Sequence, residues 1–261
     1  MPLHLVHAEE WTTPHEIPNA VADVRRRWAD ALLSEAAAEL RTSHPGLVVG
    51  TESADGRPAA SLAAIAKNAS LVVLGSRGLG GLTGFVLGSV AMALVHTVEQ
   101  PIVLVRADED AEADADVHHR DRDLVVGLDI SRPCAALLAF AFAEASRRNC
   151  RLHAVHSWKL PPVAGYGSAY DPRVYAQLDL GAKANLDDAL RPWREKYPAV
   201  DTLGHSSDGH PVRHLLRKAS GAGLLIVGRR IRRPSVGTHI GPVTHAVIHH
   251  AQVPVAVIAH E

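Results

Sequence analysis

The chain is poor in aromatic residues and in cysteine. Aromatic residues make up 4% of its 261 residues, so Ala, Val, Leu and Ile must build the core, which favours Val/Ile-rich strands covered by Ala/Leu-rich helices. The two cysteines, Cys134 and Cys150, do not have the spacing of a redox or metal pair and cannot form a disulfide framework. We therefore expect the chain in a reducing cytoplasm.

The chain also has neither a large excess of charge of one sign nor a long apolar run. The formal net charge is −1, so there is no overall positive field to attract a phosphate backbone. No apolar run approaches the roughly 18 to 20 residues that span a bilayer. Met1 to Glu10 lacks the basic and apolar regions of a signal peptide. We therefore expect neither nucleic acid nor a membrane among the partners.

An internal repeat organises the chain. Leu71 to Gly75 recurs as Leu224 to Gly228, and with the same offset of 153 residues Gly88 falls on Gly241. Between the copies lies an acidic stretch without apolar periodicity, which is typical of a solvated linker. The predicted organisation is a first domain at 1–107, a linker at 108–121 and a second domain at 122–261.

Short apolar segments alternate with segments of helical periodicity in both copies. This alternation predicts βαβ units with right-handed crossovers, and hence a doubly wound α/β fold with mostly parallel sheets. Helices are predicted at 21–40, 58–67, 89–98, 134–148 and 181–195. Strands are predicted near 48–49 and at 71–74, 102–105, 125–128 and 152–155.

The two copies are unequal in length. Leu3 to His7 matches Leu152 to His156, so the first copy has no counterpart of the strand and helix predicted at 123–149. Such a first strand is normally central, and without it we expect two sheet fragments with unpaired edges. Two explanations are open: Met1 is an internal methionine of a longer natural chain, or a partner strand completes a truncated domain.

The strongest candidate for a phosphate-binding loop lies in the first copy. It has the spacing Gly75-x2-Gly78-x9-Gly88-Ser89, between a predicted strand and a predicted helix. Glycines allow a tight turn and close approach of a ligand, and the free N–H groups at a helix start suit a phosphate. Ser89 could donate to a phosphate oxygen or cap its own helix.

This loop, together with the run from Val126 to Ser131, resembles the tandem-domain members of the universal stress protein family. The resemblance implies two flavodoxin-like (adenine nucleotide alpha hydrolase-like) domains that associate through their last strands, as a homodimer or as an intrachain pseudo-dimer. It also implies ATP as the cofactor, alone or with Mg²⁺. The implied role is nucleotide-dependent regulation of a stress response, with at most a weak ATPase activity.

The resemblance also assigns candidate binding residues. Asp129 would meet the adenine or ribose, although Asp129 and Ser131 could instead only cap the following helix. The glycines and Ser89 would hold the phosphates, and Val6 would lie near the adenine. Carried over to this sequence, the nucleotide-binding residues are Val6, Gly75, Arg77, Gly78, Gly88, Ser89 and Val90 in the first copy, and Asp129, Gly228 and Gly241 in the second.

The second copy departs from the binding pattern. Ile231 replaces a glycine, and Pro242 has no N–H for a phosphate, so we expect a weakened pocket there. An anion could instead be held by charge, or the basic loop could simply be solvated; its arginines are Arg229, Arg230, Arg232 and Arg233. The alternative function is a degenerate interaction module that does not bind ATP and works by dimerisation and partner binding.

Enzymatic chemistry has little support in the sequence. There is no Gly-x-Ser-x-Gly nucleophile elbow, and an adenylating enzyme would need a Ser-Gly-Gly turn where the second copy has Gly127 to Ser131. His245 and His249 are spaced i, i+4, but no zinc-type cluster accompanies them. We therefore predict no catalytic residue and no metal ligand.

Overall fold

The computed structural model describes residues 1–9, 19–75, 88–105, 122–159, 172–231 and 240–261. They form two compact units, Met1–Ala69 and Ser70–Glu261. The division between the units falls inside the first sequence copy, whereas the predicted domain boundary follows the junction between copies. The predicted linker at 108–121 lies outside the described residues. None of the helices in the described ranges is long and apolar enough to cross a membrane.

The first unit is a two-stranded parallel sheet with two helices. The strands pair in register from Leu3 opposite Val49 to Glu9 opposite Asp55. The long helix buries Ala29, Leu33 and Ala37, which are spaced four residues apart and therefore share one face. The elements are β1 (Leu3–Glu9), α1 (Asn19–Ser43), β2 (Val49–Asp55) and α2 (Pro58–Ala66).

The second unit is built on a seven-stranded sheet with the strand order β3-β4-β9-β8-β5-β6-β7. Its elements are β3 (Val72–Gly75), α3 (Ser89–Thr97), β4 (Ile102–Val105), β5 (Leu124–Leu128), α4 (Ala135–Arg148), β6 (Leu152–Trp158), α5 (Pro172–Lys196), β7 (Thr202–Asp208), α6 (Pro211–Ala219), β8 (Leu224–Arg230), α7 (Pro242–His250) and β9 (Val255–His260). Every neighbouring pair is parallel except β4 and β9. The predicted mostly parallel, doubly wound fold is confirmed.

Strand β5 is the centre of the second repeat. It pairs with β6 on one side and with β8 on the other, so the chain winds outward in one direction and then returns to wind in the other. This reversal is the topological switch point of a doubly wound sheet. On one face of the sheet, Phe142 of α4 packs against Trp193 of α5 and against Tyr197, with ring centroids 6.0 and 5.8 Å apart.

The last strands of the two sequence copies pair with each other. β4 and β9 run antiparallel, with Ile102 opposite Val257 and Leu104 opposite Val255. The association through last strands that the family resemblance implies therefore occurs within this one chain. It joins the end of the first copy to the sheet of the second.

The repeat is visible in the order of elements. β3, α3 and β4 correspond to β8, α7 and β9, and the elements from β1 to α2 correspond to those from β6 to α6. In the described part of residues 1–105, no element corresponds to β5 and α4. The largest error in a predicted boundary concerns α5, which begins at Pro172, not at Gly181, because proline suits the first turn of a helix and an exposed glycine is tolerated inside one.

Candidate functional site

A cavity of about 480 Å³ opens at the carboxyl ends of β5, β6 and β8. Ligands of doubly wound sheets bind at this edge, beside the switch point, and the volume is in the range of small-molecule sites. The lining residues include Asp129 and Arg132 after β5, Ser157 and Lys159 at and just after the end of β6, Gly228 and Arg230 in β8, Gly241 and Thr244 around the start of α7, and His260 in β9.

Asp129 closes the turn between β5 and α4. Its Oδ1 accepts hydrogen bonds from the Ser131 hydroxyl at 2.5 Å and from the Ser131 N–H at 3.3 Å. Its Oδ2 lies 3.2 Å from Nε of Arg132, and the side chain is 61% exposed. The structure does not show the helix cap that the sequence left as one alternative, because the N-cap residue of α4 is Cys134 and no side-chain hydrogen bond caps this helix. The Asp129 carboxylate lies on the cavity wall.

Gly228 lies where β8 meets the start of α7. The Thr244 hydroxyl donates to its carbonyl oxygen at 2.7 Å, which ties the strand to the helix. A Cβ atom on Gly228 would lie 2.5 Å from Nε2 of His260, so a side chain at this position would have to move the His260 ring. A Cβ atom on Gly241, in contrast, would have no atom of the described residues within 4 Å apart from its chain neighbours, so packing among those residues does not account for that glycine.

Of the two residues expected to weaken this pocket, Pro242 lines the cavity and Ile231 follows the last residue of β8. Pro242 is the first residue of α7, after the Gly241 N-cap. Proline there removes only one of the N–H groups that have no intrahelical partner. The N–H of Ile231 donates to the His260 carbonyl at 2.7 Å, so this residue continues the strand pairing. The cavity is therefore formed despite both substitutions.

The arginines of the basic loop have separate roles. Arg230 lines the cavity. Arg229 is buried and donates from Nη2 to the Val98 carbonyl, at the end of α3, at 2.7 Å. Burial lowers the pKa of Arg229, although Glu99 opposes this shift. Arg232 and Arg233 lie outside the described residues, so a role in anion binding is supported by position only for Arg230.

The cavity wall carries more positive than negative side chains. Arg132, Lys159 and Arg230 contribute positive charge, and Asp129 contributes negative charge. Asp129 is paired with Arg132. Among the described residues, no carboxylate oxygen lies within ion-pair distance of Lys159 or Arg230. This charge balance suits an anionic ligand.

Cys134 lies on the wall and is the N-cap residue of α4. Burial raises the pKa of its thiol, and the negative charge of Asp129 raises it further. The thiol therefore stays protonated at neutral pH, which makes it a poor nucleophile.

The candidate residues of the first copy are only partly described. Gly75 ends β3, Gly88 is the N-cap of α3, and Ser89 and Val90 begin that helix. Ser89 is exposed, and no side-chain hydrogen bond caps α3. Arg77 and Gly78 lie outside the described residues, and Val6 is in β1 of the other compact unit. The assembly of this site therefore stays a prediction.

Several cavity residues were missed by the sequence analysis. Lys159, Thr244 and His260 lie outside the family pattern, so no spacing rule pointed to them. Ser157 follows Val155 by two residues on β6, a spacing that could have placed it on the same face. Its hydroxyl lies 3.1 Å from Nδ1 of His214 on α6.

Comparisons with known proteins agree with this architecture. Universal stress protein Rv2005c of Mycobacterium tuberculosis is 33% identical over 211 residues, covering 81% of this chain and 69% of that protein. Universal stress protein Rv2623 of the same organism is 32% identical over 268 residues, covering 98% and 86%. The crystal structure of a universal stress protein from Archaeoglobus fulgidus superposes with a TM-score of 0.72 at 20% identity, covering 99% and 87%, which supports the fold.

The sequence model of the universal stress protein family matches two regions, residues 1–106 and 122–259. The matched regions correspond to the two sequence copies and include most of the chain. Both copies also contain the alternating elements and strand pairing described above. The chain therefore belongs to the universal stress protein family.

Proposed function

We propose that this chain is a cytoplasmic, nucleotide-dependent regulator of a stress response. It binds an adenine nucleotide, preferably ATP, in the cavity of its second repeat. The observation that carries the proposal is the position of the cavity beside the switch point, with Asp129 at one side and Gly228, Arg230 and Gly241 at the other. The unpaired thiols of Cys134 and Cys150 suit a reducing compartment.

The residues of the cavity fit such a ligand. The open Cβ position of Gly241 and the remaining N–H groups at the start of α7 leave room and donors for a phosphate. The Arg230 guanidinium adds the charge that complements it. Asp129 would contact the adenine or ribose. In family members with a hydroxyl residue in place of Pro242, the start of the helix contributes to phosphate binding. In this proposal Arg230 replaces part of that contribution.

A regulatory role needs a route from the cavity to the rest of the chain. Adjacent residues of β8 supply one: Arg230 lines the cavity, and Arg229 holds the end of α3 through the Val98 carbonyl. β8 is also bonded to β9, which pairs with β4 of the first copy. A ligand that shifts Arg230 would thus act directly on the junction between the two copies.

The test is isothermal titration calorimetry of the full chain with ATP, ADP and AMP, with MgCl2 and with EDTA. We expect saturable binding, and binding about tenfold or more weaker for Arg230→Gln because a charge-assisted contact is lost. The matched control is Arg191→Gln on α5, an exposed arginine outside the cavity. Absence of binding by the full chain, or equal losses in both variants, would reject this site.

The second candidate function is an interaction module whose pockets no longer bind nucleotide. It is favoured by the altered residues Ile231 and Pro242 and by strand pairing that needs no ligand. This alternative predicts no heat of nucleotide binding and unchanged association when Gly88 or Gly241 is replaced by valine. The first-copy loop from Gly75 to Ser89 remains a further predicted phosphate site.

A further inference from the structure

Helix α1 carries an apolar stripe on a solvent-exposed face. Val24, Trp28 and Leu32 are spaced four residues apart and are 57%, 57% and 42% exposed. Side chains with this spacing lie along one side of a helix. The residues that α1 buries, among them Leu33, lie on a different side. A tryptophan between two aliphatic side chains is the type of exposed surface that proteins bury against a partner.

The corresponding helix of the second repeat lacks this stripe. With an offset of 153 residues, the buried Leu33 of α1 matches the buried Leu186 of α5, so the two helices share a packed face. The stripe then falls on Gln177, Gly181 and Asn185, none of them a large apolar residue and all of them exposed. These positions remain exposed although the second repeat contains β5 and α4. The stripe is therefore not a core face that such elements would cover.

The tryptophan of the stripe is held in place by its own unit. The ring of His7, in β1, packs edge-on against Trp28, with centroids 5.7 Å apart and ring planes at 76°. A side chain that is already ordered loses less conformational entropy on binding. Trp28 is thus suited to be the anchor of an interface.

Charged residues along α1 select the partner. In the first half of α1 three arginines, at 25–27, outnumber Asp23 and Asp30, whereas in the second half Glu35 and Glu39 outnumber Arg41. A parallel copy of the helix would bring like charges together. An antiparallel copy would bring the basic half of each helix opposite the acidic half of the other, which is favourable at an interface.

We infer that α1 binds α1 of a second copy of this chain in an antiparallel, two-fold symmetric contact. Trp28 of each copy packs against Leu32 of the other, with the axis crossing the stripe midway between these two residues, at the level of position 30 along the helix. Arg25 and Glu35 are then equally far from the axis, on opposite sides, so each Arg25 faces Glu35 of the second copy. Such a contact is self-complementary, as two-fold symmetry requires.

The expected dimer is weak. A single helix pair is at the low end of the size range for specific interfaces. We therefore expect dimerisation that depends on protein concentration in the micromolar range. The contact is separate from the strand pairing of β4 with β9, so it adds an association between chains to one already present within the chain.

Sedimentation velocity of the full chain over a range of concentrations tests this contact. We expect a concentration-dependent dimer for the natural chain and at least about tenfold weaker association for Trp28→Glu and Leu32→Glu. Leu180→Glu on α5 is the matched control, because Leu180 is also an exposed leucine on a long helix and should not alter the dimer. Circular dichroism checks that each variant folds.

Charge reversal supplies a second test that spares the apolar stripe. Arg25→Glu and Glu35→Arg should each weaken the dimer, and the double variant should restore most of the association because the charges complement each other again. A natural chain that stays monomeric, a dimer unaffected by Trp28→Glu, or an equal effect of Leu180→Glu would overturn the proposal. A double variant weaker than both single variants would overturn the antiparallel pairing.

Discussion

Strands β3 and β8 occupy matching places in the two repeats, but their side chains meet different surroundings. Val73 of β3 is 55% exposed, whereas its counterpart Ile226 in β8 is fully buried. β8 lies between β9 and β5, while β3 pairs only with β4 among the described strands. Both strands have the same apolar pattern. Burial of such a strand is therefore decided by its neighbours in the sheet.

The largest expected contrast is in stability. Ile226→Ala should lower the free energy of unfolding by about 3 kcal/mol, because it leaves a cavity in a packed core. Val73→Ala should lower it by no more than about 1 kcal/mol, because half of that side chain is already in water. Urea unfolding followed by circular dichroism measures both. Equal losses would show that β3 is as well covered as β8.

The next contrast concerns the two glycines that precede α3 and α7. Gly241→Val should weaken nucleotide binding at least about tenfold, because its side chain would enter space that no atom of the described residues occupies. Gly88→Val, the matched substitution in the first repeat, should leave the affinity of the second-repeat cavity unchanged. Calorimetry with ATP measures both. A greater loss from Gly88→Val would move the proposed site to the first repeat.

A smaller contrast comes from the hydroxyl that ties α7 to β8. Position 244 is threonine in the second repeat and the matching position 91 is alanine in the first, so only the second repeat has this bond to Gly228. Thr244→Val should cost about 1 kcal/mol of stability. The control is Thr97→Val on α3, whose hydroxyl bonds to Ala93 on an exposed surface. Thermal unfolding should show little change for this control.

The smallest contrast concerns pH and two matched pairs of side chains. His153 Nδ1 and His205 Nε2 are 3.0 Å apart in the second repeat, where the first repeat pairs His4 with Glu52 at 2.7 Å. Burial, helped by the charge of Lys218 and by His153, lowers the pKa of His205 below its usual 6.5. The unfolded chain therefore takes up a proton at a higher pH than the folded chain.

The sign of the effect follows from this difference in proton uptake. Stability contributed by neutral His205 is fully present above pH 6.5 and is lost as the pH falls from 6.5 towards the folded-state pKa. His205→Gln should reduce this loss, as measured by urea unfolding at a series of pH values. His249→Gln, on α7, is a control for a histidine outside the pair. If stability instead increased at lower pH and His205→Gln abolished this increase, the lowered pKa of His205 in the folded chain would be contradicted.

Much of the fold was predictable because it depends on local patterns. The apolar segments around Leu71 and Leu224 predicted matching strands, and their alternation with helical segments predicted a parallel sheet. The family resemblance then implied pairing of the last strands, and β4 and β9 pair within the chain. The start of α5 was not predictable in this way, since Gly181 is usually a weak helix former and is tolerated here at an exposed position.

The candidate site was less predictable, because it gathers residues from separate strands. The pattern drew attention to Gly228, Gly241 and Asp129, and all three line the cavity. It did not indicate that the neighbouring Arg229 and Arg230 would have different environments. Nor did it indicate the ring of His260 over Gly228. Such contacts depend on side chains that approach each other only after the sheet forms.

The sequence by itself determined the repeat, the α/β class and the family, since these depend on the period of apolar residues and on glycine spacing. Only the tertiary structure showed that the second repeat encloses a cavity. β5 lies between β8 and β6, so the ends of these three strands surround one cavity. The pairing of these strands joins residues that are far apart in the sequence. Tertiary structure likewise decided that Val73 is exposed and Ile226 is not, because burial depends on which strands lie alongside.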